Sequence, residues 1–179
     1  MIYRELIRIG GKETRRNEGF TLIELLIVVA LIAILAAASV PIFIGHVEKS
    51  RRATDIANAG GIRTEICNAI VLDEVHINDE DAGVLVVVFS DRTKVKKYVS
   101  ISACSGKDKP RKIGNGKKVL PGSLNDVIVG YNNGIHCMQR KIDWYAVTVY
   151  GDGSSYYWEG KGSVNFRNAK RYEWTELGK

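Results

Sequence analysis

Between Phe20 and Ile44 the chain runs for 25 residues in which Glu24 is the only charged side chain. About 20 apolar residues cross the hydrocarbon core of a bilayer, so this segment is long enough to span one. A helix that is apolar on every side has no stable place in water unless something covers it. With 179 residues in total, the chain has room for such a segment and one domain, not for two large domains. A carboxylate in hydrocarbon is costly and generally has a partner or a function. Glu24 is therefore the residue that any account of this chain has to explain.

Three readings compete for the first 44 residues. A secretory signal peptide has a basic start, an apolar stretch of about 7 to 15 residues and a small-residue cleavage site. "AILAAAS" (Ala33 to Ser39) offers such sites, but the apolar run is too long. A plain transmembrane helix fits the length, yet explains neither Glu24 nor the abrupt junction at Gly19–Phe20. The third reading accounts for both. Across the junction the sequence reads "GFTLIELL", with the glutamate at the fifth position from the phenylalanine. Before it lies a hydrophilic leader carrying Arg4, Arg8, Lys12, Arg15 and Arg16.

This arrangement resembles the class III signal of type IV pilins and of the related pseudopilins of type II secretion and DNA-uptake machines. The resemblance covers residues 15 to 45 and includes Pro41, where the family usually has a helix-kinking proline; the leader is longer than in many members. It implies cleavage after Gly19 by a membrane prepilin peptidase on the cytoplasmic side, then N-methylation of Phe20. A glycine at the cleaved bond presents no side chain to a protease site, and the basic leader stays cytoplasmic by the positive-inside tendency. The resemblance also gives Glu24 a role, pairing with the N-terminal amine of a neighbouring subunit during assembly. Opposite charges attract strongly at low dielectric, and each offsets the other's desolvation.

The implied organisation is a leader at 1–19, a transmembrane and assembly helix at 20–44, an amphipathic half of that helix at 45–77, and a β-rich head at 78–179. In the second half Ala59, Ile62, Ile66 and Ala69 or Ile70 recur at spacings of three and four, the period of one helix face. Glu48, Lys49, Arg51, Arg52, Asp55, Arg63 and Glu65 take other positions. Pro41 removes a backbone donor and should kink or locally melt the helix, and Gly60–Gly61 weakens it. Beyond Asp79 the period changes. Gly83–Phe89, Lys94–Ala103 (alternating from Tyr98), Asp126–Tyr131 and Ile142–Tyr150 read as strands. The last meets "SSYYWEG" across Gly151–Gly153, a hairpin signal. The fold class is α+β: a long N-terminal helix packed on an antiparallel sheet of four or five strands, with the aromatics of "YYWEG" and "KRYEW" covering the sheet or its edge.

The three cysteines are Cys67, Cys104 and Cys137, so at most one disulfide can form. Cys104 and Cys137, both in the strand-and-loop region, are the expected pair. No metal site is expected: there is no CxxC, and Asp152 in its Gly-rich turn lacks the D-x-D-x-D run of a calcium loop. His46, His76 and His136 are scattered, and no GxSxG, HExxH or phosphate-binding loop occurs. The expectation is a non-enzyme with no cofactor.

The net charge is +6, concentrated most in "KDKPRKIGNGKK" (Lys107 to Lys118). Its plain reading is a solvated loop; a DNA-binding role would give an affinity that falls steeply with salt. The resemblance thus implies a structural subunit that polymerises into a type IV pilus or pilus-like fibre. Its partners would be itself, related pilins, the peptidase, the cytoplasmic membrane and an assembly platform, with DNA or a surface ligand as further candidates. It would be a single-pass protein of the cytoplasmic membrane before assembly and an extracellular or periplasmic fibre after it. The alternatives are a pseudopilin of a secretion or competence machine, and a monomeric membrane-anchored binding protein that never polymerises.

Overall fold

The computed structural model describes residues 20–75, 77, 80–95, 97–113 and 135–177. The leader with Gly19, His76, the expected strand at Asp126–Tyr131 and the distal half of the basic run lie outside the described residues. The described elements are one long helix, α1 (Leu22–Val71), and six strands, β1 (Ala82–Phe89), β2 (Val99–Ser105), β3 (Arg111–Lys112), β4 (Trp144–Tyr150), β5 (Ser155–Gly160) and β6 (Lys170–Glu173), followed by a 3-10 turn at Trp174–Glu176. The chain divides into two units, 1–43 and 44–179.

In the first unit every residue from Phe20 to Phe43 is exposed. The helical pattern runs through Pro41 and, further on, through Gly60–Gly61 without a break. Proline has no N–H, so the Ala37 carbonyl loses its usual donor. Two residues before the proline, the Ser39 hydroxyl donates back to the carbonyls of Leu35 (2.9 Å) and Ala36 (3.4 Å). The local melting suggested by Pro41 is absent.

The second unit is built on one stripe of α1. Asp55, Ala59, Ile62, Ile66 and Ala69 are its buried residues, at alternating spacings of four and three. The helix stops at Val71, short of residue 77. Asp73 adopts φ 61°, which Asp tolerates better than most residues, and two bonds close the end: Asp73 N–H to Ile70 O (3.2 Å) and Glu74 N–H to Ala69 O (2.9 Å). This is the Schellman pattern, with aspartate where glycine is usual.

The sheet order is β3-β2-β1-β4-β5-β6, and every pairing is antiparallel. β1 lies inside, with Val86 opposite Ile101 of β2 and Val147 of β4. It is buried on both faces, which is why its sequence is continuously apolar rather than alternating. Val84, Val86 and Val88 join the α1 stripe, with Tyr145, Val147, Val149 and Tyr157. Leu85 and Val87 face the other way, into a second cluster with Trp144, Trp158 and Phe166. There the indole ring of Trp144 occupies the space that a Cβ at Gly160 would need.

The β4–β5 hairpin forms where Gly151–Gly153 places it. Gly153 takes φ 83°, and its N–H donates to Tyr150 O (2.9 Å). "KRYE", expected as cover, is instead the sixth strand, pairing Tyr172 with Tyr157. β3 escaped the sequence reading because a two-residue charged strand has no apolar period to show.

Candidate functional site at the helix start

The start of α1 is a reciprocal cap. Thr21 precedes the first helical residue, and Glu24 sits three positions later. The Glu24 N–H donates to Thr21 Oγ1 (3.3 Å), while Glu24 Oε2 accepts from Thr21 N–H (2.9 Å) and from the Thr21 hydroxyl (2.7 Å). This is a capping box, in which two helix-end donors that have no intrahelical partner are satisfied by side chains. The carboxylate also lies in the first turn, where the helix dipole favours negative charge. The signal was in the sequence as T-x-x-E at Thr21–Glu24, and reading Glu24 for its charge alone passed over it. Among the described residues all three bonds involve Oε2 or the main-chain N–H, and none falls on Oε1.

Around this cap the surface is apolar. Phe20 is 83 % exposed and Leu22 81 %, and α1 contains a window long and apolar enough to cross a membrane with none of it buried inside the molecule. In lipid such a helix satisfies all its interior backbone groups internally. Gly19 lies outside the described residues; Phe20 and Thr21 precede the helix.

Further along, α1 carries two carboxylates whose work is inside the head. Asp55 has no exposed surface. It accepts from Met138 N–H (2.9 and 3.1 Å to its two oxygens) and Gln139 N–H (3.1 Å), and the Cys137 thiol points at it across 3.6 Å. Glu48 accepts from Arg140 N–H at 2.8 Å. Segment 137–140 is thus held on α1 by carboxylates. Its other side is held by Arg92, whose guanidinium donates to the carbonyls of Arg140 (2.7 Å), Gln139 (2.9 Å) and Ile142. Burial pushes the Asp55 carboxyl up from its ordinary value, against the opposing pull of the Met138 and Gln139 N–H groups. The sequence reading placed Asp55 among the residues off the apolar stripe. It belongs to that stripe, one helical step before Ala59, and the spacing could have shown it.

The disulfide expected between Cys104 and Cys137 does not form; Cys67, Cys104 and Cys137 are all free thiols. Cys104 packs in the cluster with Trp144, and Cys137 in the α1 cluster on the other side of the sheet. Burial raises both thiols, Cys104 to about 12.

The basic run is rearranged by folding. Lys107, between β2 and β3, pairs with Asp152 in the β4–β5 turn, an interaction that holds the Asp152 carboxyl well below its usual range. Asp152 also accepts from Ser154 N–H (3.0 Å) and its hydroxyl (2.6 Å). Lys109, Arg111 and Lys112 remain exposed.

A family model described as "Prokaryotic N-terminal methylation motif" matches residues 14–40. A fimbrial protein of Dichelobacter nodosus is 38 % identical over 78 residues, covering 44 % of this chain and 49 % of that protein. Two proteins of the same organism named type IV major fimbrial protein FimA are 38 % identical over 78 residues (44 % and 48 % covered) and 45 % identical over 57 residues (32 % and 36 % covered). The chain spans about half the length of the curated relatives it matches or less, and no solved structure is significantly similar to it. The methylation motif and the fimbrial relatives make this chain similar to type IV fimbrial proteins, and its long helix followed by an antiparallel sheet agrees with the architecture that the resemblance implies.

Proposed function

We propose that the protein is a structural subunit that is anchored in the membrane by residues 20–44 and polymerises through that helix into a type IV pilus or pilus-like fibre. The observation that carries this reading is the overlap of a methylation motif at 14–40 with the start of a helix whose apolar residues up to Phe43 are all exposed. In the membrane, lipid covers it; in a fibre, the same helix from neighbouring subunits does. The leader 1–19 is removed after Gly19, and Phe20 becomes the methylated N-terminus. Residues 45–77 support the head, 78–179, which forms the fibre surface.

Glu24 then has two roles. Its Oε2 closes the cap with Thr21, and its Oε1 receives the N-terminal ammonium of the next subunit, setting axial register. Pairing removes an uncompensated charge from lipid, so assembly is favoured over the free subunit. Partners on this reading are further copies and related pilins, the prepilin peptidase and the assembly platform. The relatives bear the names of fimbrial proteins, which supports reading the chain as a structural subunit of a fibre.

The test is N-terminal mass spectrometry of protein from sheared surface fibres, with Glu24→Ala and Glu24→Gln beside the wild type. A chain that starts at N-methylated Phe20 in the fibres, with the variants inserted in the membrane but absent from fibres, is the expected result. Intact Met1 in the membrane fraction with nothing in the sheared material, or normal fibres from Glu24→Ala, would overturn it.

A further inference from the structure

Past Ile44 the exposed large apolar side chains among the described residues are Val71, Leu72, Val95, Tyr98 and Met138. Four of them fall in two places. Val71 and Leu72, 83 % and 68 % exposed, form a knob at the end of α1, and Asp73 and Glu74 follow at once, both exposed. Tyr98 stands just before β2, level with the end of β1, since Val99 pairs with Val88. Met138 follows the bridge from Cys137 to Ser90. Here Arg51, residues 91–92 and the segment around Met138 enclose an open cavity of about 260 Å³. The Tyr98 ring lies 6.1 Å from that of His136, which lines it.

The two places differ in charge. The knob runs into two carboxylates, whereas three guanidiniums, Arg51, Arg92 and Arg140, line the cavity against one lining carboxylate, Asp91. Arg92 donates to main-chain carbonyls and Arg51 pairs with Glu48 at 3.6 Å, so both are held in the wall. Arg140 is exposed. The N–H groups of Met138 and Arg140 are fixed on Asp55 and Glu48 of α1, which makes the rim a rigid part of the head. The cavity is smaller than the roughly 300–1,000 Å³ usual for an engulfed small molecule and suits side chains from another surface.

We propose that the Val71–Glu74 turn of one copy seats in this cavity on a second copy, with Leu72 against Met138 and Glu74 paired to Arg140. Exposed apolar patches rimmed by charge mark such interfaces, and the opposite charges of knob and socket select this partner and orientation. Because knob and socket are different surfaces, the contact is heterologous and builds an open filament rather than a closed pair. Arg51 and Leu72 are twenty-one residues apart on α1, about 32 Å at 1.5 Å per residue, so touching copies are displaced by about that distance. The pairing of Glu24 with the next Phe20 advances by four residues, about 6 Å. The head contact therefore joins copies several steps apart along the fibre. It rests on the polymerisation proposed above and names the surfaces through which the heads meet.

The experiment uses the full chain in sheared surface fibres. With Leu72→Cys and Met138→Cys in one chain, mild oxidation should give a ladder of disulfide-linked multimers on non-reducing gels, absent from either single variant. Glu74→Arg and Arg140→Glu should each lower the fibre yield about ten-fold or more, since like charges then meet at every repeat. The two together should restore it, which a variant that merely misfolds would not allow. A wild type without fibres would overturn this contact together with the polymerisation reading. Fibres that give no ladder from the double-cysteine chain, or equal ladders from a single variant, would overturn the contact alone. So would normal yield from either charge reversal, or no recovery when the two are combined.

Discussion

Replacing Asp55 by alanine tests the claim that a buried carboxylate on α1 holds the head together. The side chain has no exposed surface and accepts two main-chain N–H groups, Met138 and Gln139, at 2.9–3.1 Å. Leaving a buried donor without an acceptor costs about 1–3 kcal/mol. Gln139 is buried and bears that cost in full, whereas Met138 is 39 % exposed and regains water. The variant also escapes the desolvation of its own charge, which pushes the carboxyl's pKa up. The expected net loss is about 2–3 kcal/mol, from one unsatisfied amide, part of a second and a small cavity.

The assay is urea unfolding of the full chain in detergent, followed by tryptophan fluorescence, since Trp144 and Trp158 are buried. With a slope of about 1.5–2 kcal/mol/M the midpoint should fall by about 1–2 M. Hydrogen exchange should show protection lost first at Met138 and Gln139, with β1 and β4 still protected. A pH series gives an independent check. The Asp55 pKa is higher folded than unfolded, so its titration favours the folded state most below the ordinary carboxylate value of about 3.9. That contribution is lost as pH rises through the raised folded value. The stability difference between wild type and Asp55→Ala should therefore shrink with rising pH and then level off. A loss under 1 kcal/mol at neutral pH, with unchanged exchange at Met138 and Gln139, would refute the reasoning.

Two further outcomes test the packing. Gly160→Ala drives a Cβ into the Trp144 ring, which is wedged against Phe166; overpacking of this kind costs about 1–3 kcal/mol, read as a lower urea midpoint, and a neutral result would mean that the ring has room to move. In a thiol-labelling time course on the native chain Cys67, which is half-buried, should react first, while Cys104 and Cys137 should wait for denaturant; a disulfide-linked peptide in a non-reducing digest would contradict the free-thiol arrangement.

Much of the molecule was legible without coordinates because it depends on local period and composition. The apolar run, the T-x-x-E start of α1, the Ala59–Ile62–Ile66 stripe and the Gly151–Gly153 hairpin each follow from neighbours in sequence, where helix and strand periods and turn chemistry act. The β-branched run Gly83–Phe89 announced a strand for the same reason, whereas the burial of both its faces is a finding of the fold.

What depended on distant residues meeting could not be read this way. Only the tertiary structure decides that Cys104, on β2, packs with Trp144 while Cys137, bridged to Ser90, packs in the α1 cluster, and both are free thiols. It alone brings Met138 and Gln139 onto Asp55, turning what reads as a surface charge into a buried acceptor. It likewise pairs Lys107 with Asp152 while Lys109, Arg111 and Lys112 of the same run stay exposed. The physical reason is common to all three. The environment that gives a polar side chain its task is made by segments tens of residues away, and burial and pairing exist only once those segments have packed.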